Sequence, residues 1–206
     1  QVDAYLDCLV PSSSFGQFVV WFENVVREAQ NESQTGQASP HRPLGMLDAV
    51  RAATDAILAP TGWHRLDWDY LAGEVTVVHP VSGRLPVSLL SDGIRNMVAL
   101  VADLAHHTVR INPHFGPDAP AKTPGIVLID EVDMHLHPEW QQGILDSLLR
   151  AFPRLQFIVS THSPQVLSAV DHRCIRVLSE DGTVTTPGQQ TRGVESAVVL
   201  AEVMGV

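Results

Sequence analysis

Gly125-Ile-Val-Leu-Ile-Asp130-Glu131 decides how the fold is read. Four consecutive aliphatics, opened by a glycine and closed by two acids, read as a short strand buried on both faces, as in parallel sheets. The two carboxylates stand at its C-terminal end, where ligands bind in open α/β sheets. At that edge Asp130 is placed to hold Mg2+ through water, and Glu131 to orient or deprotonate an attacking water. The same residues also fit a strand that simply ends in a solvated acidic turn.

Downstream, Trp140 to Phe152 is an amphipathic helix and Phe157-Ile-Val159 a second buried strand, followed by a helix through Val166 and Leu167. Strand, helix, strand, helix and strand over 125–179 predict a parallel α/β arrangement, with both strand ends on one edge of the sheet. The second strand runs into Ser160-Thr-His162-Ser-Pro164, thirty-one residues separating His162 from Glu131. A neutral imidazole there can donate a hydrogen bond to a phosphate or a lytic water. Ile175 to Leu178 and Val184 to Thr186 flank an Asp181-Gly182 turn, and a last helix covers Glu195 to Met204.

Upstream, Leu90-Ser-Asp-Gly93 precedes a strong helical pattern from Met97 to Val109. A serine and a glycine at a helix N-terminus offer a hydroxyl, free N–H groups and the positive dipole end to an anion. Ordinary capping by Ser91 or Asp92 would use the same residues without a ligand. Before it, Arg65 to Tyr70, Val75 to His79 and Leu85 to Leu89 predict an antiparallel meander. Leu44 to Leu58 forms a helix with Leu47, Val50, Ala53 and Ile57 on one side. Phe15 to Arg27 forms another, with Phe18, Trp21, Phe22 and Val25 as an apolar face suited to the core or to a partner. Asn31 to Pro43 and Asn112 to Gly125 read as loops.

Taken together, Leu90-Ser-Asp-Gly-Ile-Arg95, Ile126 to Glu131 and Ser160-Thr-His-Ser-Pro164 resemble the signature motif, Walker B strand and switch histidine of ABC-type ATPases. The likeness is to the soluble RecF-, SMC- and OLD-like branch, and within it to the AAA-type ATPases of Septu and retron-associated anti-phage systems. It covers about residues 85–180, with 1–84 as a helical and meander segment leading in and 85–206 as the α/β subdomain. The resemblance implies the α/β fold of a P-loop ATPase, with ATP and Mg2+ as cofactors. Asp130 would be the Mg2+-side aspartate, Glu131 the catalytic base and His162 the sensor of the γ-phosphate. Ser91, Gly93 and Arg95 would serve ATP held by the second subunit of a homodimer. For the defence-associated relatives, the regulated partner would be a nuclease. Asp92 stands where the common signature has a glycine, Val132 where a proline usually follows Walker B, and His137 where transporters carry an aspartate.

An ABC ATPase also needs a P-loop, G-x-x-x-x-G-K-[ST]. The single lysine, Lys122, lies in Gly116-Pro-Asp-Ala-Pro-Ala-Lys-Thr123, with Ala121 where the second glycine belongs and two prolines that lack N–H donors. The expectation is therefore the C-terminal half of a nucleotide-binding domain, with an open face where the missing strands would pack. Two other readings compete: a partner-binding module without turnover, and a metal-dependent hydrolase using His135, His137, His162 and Asp130 or Asp133. His106-His107 reads as surface or packing.

Composition narrows these classes. Hydrophobic residues make up 45% of 206 and charged ones 17%, enough apolar content for a core. A net charge of −10 argues against a polybasic membrane or nucleic-acid surface. Cys8 and Cys174, far apart and expected to be buried, form no disulfide framework, which fits a reducing cytoplasm. No apolar run reaches the ~18 residues of a membrane span.

Overall fold

A computed structural model describes residues 11–35, 43–134, 136–179 and 181–204. Cys8 and His135 lie outside the described residues. The chain forms two compact units, one of Gln1–Gly125 with Leu148–Gln156, the other of Ile126–Ser147 with Phe157–Val206.

In the first unit, α1 (Pro11–Thr35) buries Phe18, Phe22, Val25, Val26 and Ala29 at helical spacing. The aromatic face is therefore core, with the Phe18 and Phe22 rings 5.3 Å apart. The helix continues through Asn31–Thr35, which sequence assigned to a loop. Ser33 and Thr35 donate their hydroxyls back to the carbonyls of Ala29 and Asn31, at 3.0 and 2.7 Å, so these polar side chains bond within the helix. Helix α2 (Pro43–Leu58) starts at a proline, whose fixed φ and missing N–H suit a first turn. It buries Leu47, Val50, Ala53 and Ile57, the expected side, and packs against α1 and α3 (Asp92–Ile111). In α3 the residues Ile94, Met97, Val98, Val101, Ala102, Ala105 and Val109 form the buried stripe.

The meander forms as expected, with β1 (His64–Asp69), β2 (Glu74–His79) and β3 (Gly83–Pro86) antiparallel in that order. Trp68 faces Val75, and Val77 faces Leu85. The third strand ends earlier than sequence suggested. Pro86 has no N–H for a ladder, and Val87–Leu89 turns into a 3-10 helix closed by Leu90 N–H on the Val87 carbonyl at 3.2 Å. In β1 the register shifts between His64 and Asp67, and Arg65 takes φ +58° with its N–H on Asp55 Oδ1 at 2.6 Å. Residues 112–125 are a folded connector, not a surface loop. A 3-10 segment, Pro113–Asp118, leads into α4 (Ala119–Lys122), and Ala119 is fully buried against Ala49 and Val109.

The second unit holds most of β4 (Gly125–Ile129), α5 (Pro138–Ala151) and β5 (Leu155–Val159). Then come α6 (Pro164–Ala169), the antiparallel pair β6 (Val177–Leu178) and β7 (Val184–Thr185), and α7 (Ser196–Val199), which runs on as a π-turn over Leu200–Met204. Strands β4 and β5 pair in parallel: Gly125 lies beside Leu155 at their starts, and Ser160 N–H donates to the Ile129 carbonyl at 3.0 Å at their ends.

The expectation that β4 and β5 are buried on both faces fails. Leu128 is 71% exposed, Ile126 67% and Ile158 51%. Side chains alternate across a strand, so one face of this pair lies open among the described residues. Four aliphatics in a row mark a strand but do not say which of its faces finds a neighbour. Cys174 is likewise exposed, against the expectation of a buried thiol, because its 3-10 turn (His172–Cys174) lies at the surface. Among the described residues no helix is long and apolar enough to cross a membrane.

Candidate active site at the ends of the parallel strands

Asp130 and Glu131 follow β4 directly, and both are exposed. Glu131 adopts φ +50°, a left-handed conformation that side chains other than glycine enter at a cost of about 1–2 kcal/mol. The neighbouring strand supplies the restraint. Ser160 Oγ accepts from the Glu131 N–H at 2.8 Å and donates to Asp130 Oδ1 at 2.5 Å. Its main chain adds two bonds, giving N–H to the Ile129 carbonyl and accepting from Val132 N–H at 3.1 Å. A proline at 132 would have no hydrogen for that last bond.

A second layer of polar contacts holds the loops that carry these groups. Thr161 Oγ1 donates to Asp133 Oδ1. Ser163 caps α6, accepting from the N–H groups of Gln165 and Val166 at 3.1 and 3.2 Å, and its hydroxyl reaches Gln141 Oε1 at 2.7 Å. Gln141 in turn donates to the carbonyls of Leu136 and Asp133, at 3.0 and 3.3 Å. The 131–136 turn and the 160–163 turn are thus joined by short side chains whose hydrogen bonds leave few alternative geometries. His162 stands between Thr161 and Ser163 with its side chain exposed.

Asp130, Glu131 and His162 therefore share the C-terminal edge of two parallel strands, as the sequence predicted. An exposed carboxylate beside a serine hydroxyl is a hard oxygen set, the kind Mg2+ takes through a few direct ligands and waters, so Asp130 fits that cation. Sequence reasoning assigned no role to Ser160, Thr161, Gln141 or Ser163, and considered Asp133 only as a candidate metal ligand. The polar run Ser160-Thr-His-Ser was visible, but the pairing across the sheet that gives each a partner was not.

In the other unit, Ser91 precedes α3, is exposed, and makes no capping hydrogen bond with its side chain. Gly93 is buried in the first turn, so only its backbone is on offer. Arg95 is paired with Asp92 at 2.6 Å. Lys122 is no phosphate ligand in waiting: it pairs with Asp118 at 2.8 Å in a helical turn. Asp130, Asp133, His137 and His162 do not converge as a metal-binding group; among the described residues the cluster of that kind is Asp103, His106 and His107.

Residues 18–168 match the family described as "AAA domain, putative AbiEii toxin, Type IV TA system". The chain is 48% identical over 91 residues to the Retron Vc95 probable ATPase of Vibrio cholerae serotype O1 biovar El Tor, covering 44% of this chain and 17% of that protein. It is 42% identical over 122 residues to the Retron Ec83 probable ATPase of Escherichia coli, covering 59% of this chain and 22% of that one. The Septu protein PtuA of Bacillus mycoides is 42% identical over 92 residues, 45% of this chain and 12% of its own. The chain thus spans about a fifth of the length of the retron relatives it matches. Among solved structures, an SMC ATPase superposes with a TM-score of 0.51 at 20% identity, over 78% of this chain and 93% of that one. At that identity the likeness establishes the fold.

Proposed function

The chain belongs to the AAA domain family described for type IV toxin–antitoxin systems, and from that premise we propose that it forms the catalytic edge of an ATP-hydrolysing domain. The observation that carries this reading is the Ser160-clamped Asp130–Glu131 turn. It anchors the Asp130 carboxylate on the Ser160 hydroxyl and presents Glu131 to solvent in a strained conformation, an arrangement that supports a cation-binding role for the one and a base role for the other. Clamps of this kind hold a functional group against its local preference.

In this reading Asp130 holds the cation, which when bound neutralises charge on the phosphates. Glu131 accepts the proton of the attacking water. His162 hydrogen-bonds the terminal phosphate or that water. Ser160 holds the Asp130 carboxylate and the Glu131 backbone in register. Ser91 and the amides around Gly93 meet ATP held by a second copy, which makes the working form a head-to-tail homodimer; ATP-driven dimerisation is what the SMC relative is described for. Arg95 must leave Asp92 to take part. The amides and lysine that cradle the phosphates come from outside these residues, since Lys122 and its helical turn are unsuited to the task. The open face of β4 and β5 supports further strands packing there. Opening and closing of the dimer would regulate a partner, a nuclease in the anti-phage setting.

The test is Mg2+-dependent ATP turnover by the product of the whole reading frame. Glu131→Gln should abolish turnover while retaining ATP and a closed dimer, and His162→Ala should slow hydrolysis more than binding. Turnover unchanged in Glu131→Gln removes Glu131 from the mechanism. A whole product that neither binds nor hydrolyses ATP leaves the partner-binding module as the better reading.

A further inference from the structure

Asp103 lies three and four residues before His106 and His107 on α3, so its carboxylate neighbours both imidazoles. One possible ligand atom from each lies within 4.8 Å of the other two. His106 is 2% exposed, its ring 4.4 Å from that of Trp21 and 6.1 Å from that of Phe18. Among the described residues neither of its ring nitrogens has a hydrogen-bond partner. Asp103 Oδ1, also buried, has the His107 ring beside it, with Nδ1 at 3.4 Å in an ion-pair contact. Native interiors rarely leave such groups unsatisfied, and here both nitrogens of one buried imidazole are left so, beside a carboxylate and a second imidazole.

We infer that Asp103, His106 and His107 bind a divalent transition-metal ion of the zinc class. Imidazole nitrogens and a carboxylate oxygen are the donors such ions take. Tetrahedral zinc would draw the three donor atoms to about 3.3 Å apart, so the half-buried Asp103 and His107 side chains would rotate to close on the ion. His107 Nδ1 lies 2.9 Å from the Asp103 carbonyl oxygen, the kind of outer contact that orients a metal-bound histidine. Water would complete the coordination. The ion would pin the middle of the helix whose first turn carries Gly93. The site is separate from the nucleotide edge and does not depend on it.

The chain is stripped with a chelator, loaded with Zn2+, dialysed, and its metal content measured; Co2+ loading reads the geometry by visible absorption. One ion per chain, a tetrahedral Co2+ spectrum and a raised melting temperature are expected. Asp103→Asn and His107→Ala, both at half-exposed positions, should each raise the dissociation constant at least tenfold. His106→Leu fills the same apolar site, so it should fold without metal and bind none. His137→Ala should bind as the parent does. Zinc below stoichiometric uptake, or undiminished in Asp103→Asn and His107→Ala, overturns the site.

Discussion

Replacing Glu131 by glycine and by alanine separates what its backbone costs from what its carboxylate does. At φ +50° an alanine meets the same left-handed penalty as glutamate, about 1–2 kcal/mol. Glycine escapes that penalty but loses about 0.5–1 kcal/mol more to unfolded-state freedom than alanine does. The glycine variant should therefore be more stable than the alanine variant by about 0.5–1 kcal/mol, or roughly 1–4 °C in melting temperature for a chain of this size. Paired urea and thermal unfolding of the two variants reads the difference directly. Repeating the pair in a Ser160→Ala background sharpens the argument. Without the Ser160 hydroxyl the Glu131 N–H is released, the turn relaxes, and the advantage of glycine should shrink. Equal stability of the glycine and alanine variants with Ser160 intact would show that no strain is held at this position, and the clamp would lose its physical basis.

Ser163→Ala removes the cap of α6 and a bond to Gln141, and should lower stability by about 1 kcal/mol in urea unfolding. Arg65→Gly should stabilise relative to Arg65→Ala by the same left-handed argument, read in the same assay, at a residue with no part in the proposed chemistry. Asp171 is held below the usual carboxylate range, first by the Arg173 side chain and then by the Arg173 N–H. Its contribution is therefore complete above about pH 4 and is lost as pH falls from there toward its lowered folded value; unfolding at pH 5 and pH 3 should show a smaller acid loss in Asp171→Asn than in the parent. Cys174 is exposed, so a thiol reagent should titrate it in the native state, whereas a buried thiol would react only after unfolding.

Much of this arrangement is legible without coordinates, for identifiable reasons. Leu47, Val50, Ala53 and Ile57 recur at helical spacing, and α2 follows. The turns at Gly73 and Gly83 punctuate the meander. Ile126 to Glu131 and Phe157 to His162 locate two strands and the edge they share, because each pairs a short aliphatic run with a polar stop. What sequence misread depends on distant neighbours. Ala119 sits in a Pro- and Gly-rich stretch that looks like a loop, yet it is buried by Ala49 and Val109. Ile126 and Leu128 look like core, yet their partners are not among the described residues. Ser160 is unremarkable in a polar run until Asp130 and Glu131 are placed beside it across the sheet.

The open face of β4 and β5 also sets how these chains behave as colloids. Ile126, Leu128 and Ile158 give each molecule an adhesive plate, while a net charge of −10 keeps molecules apart. The range of that repulsion is the Debye length, about 30 Å at 0.01 M salt and about 8 Å at 0.15 M. Raising the ionic strength shortens the barrier and leaves the adhesion in place. Self-association of this chain should grow with salt, and the second virial coefficient should fall from positive toward negative as it does.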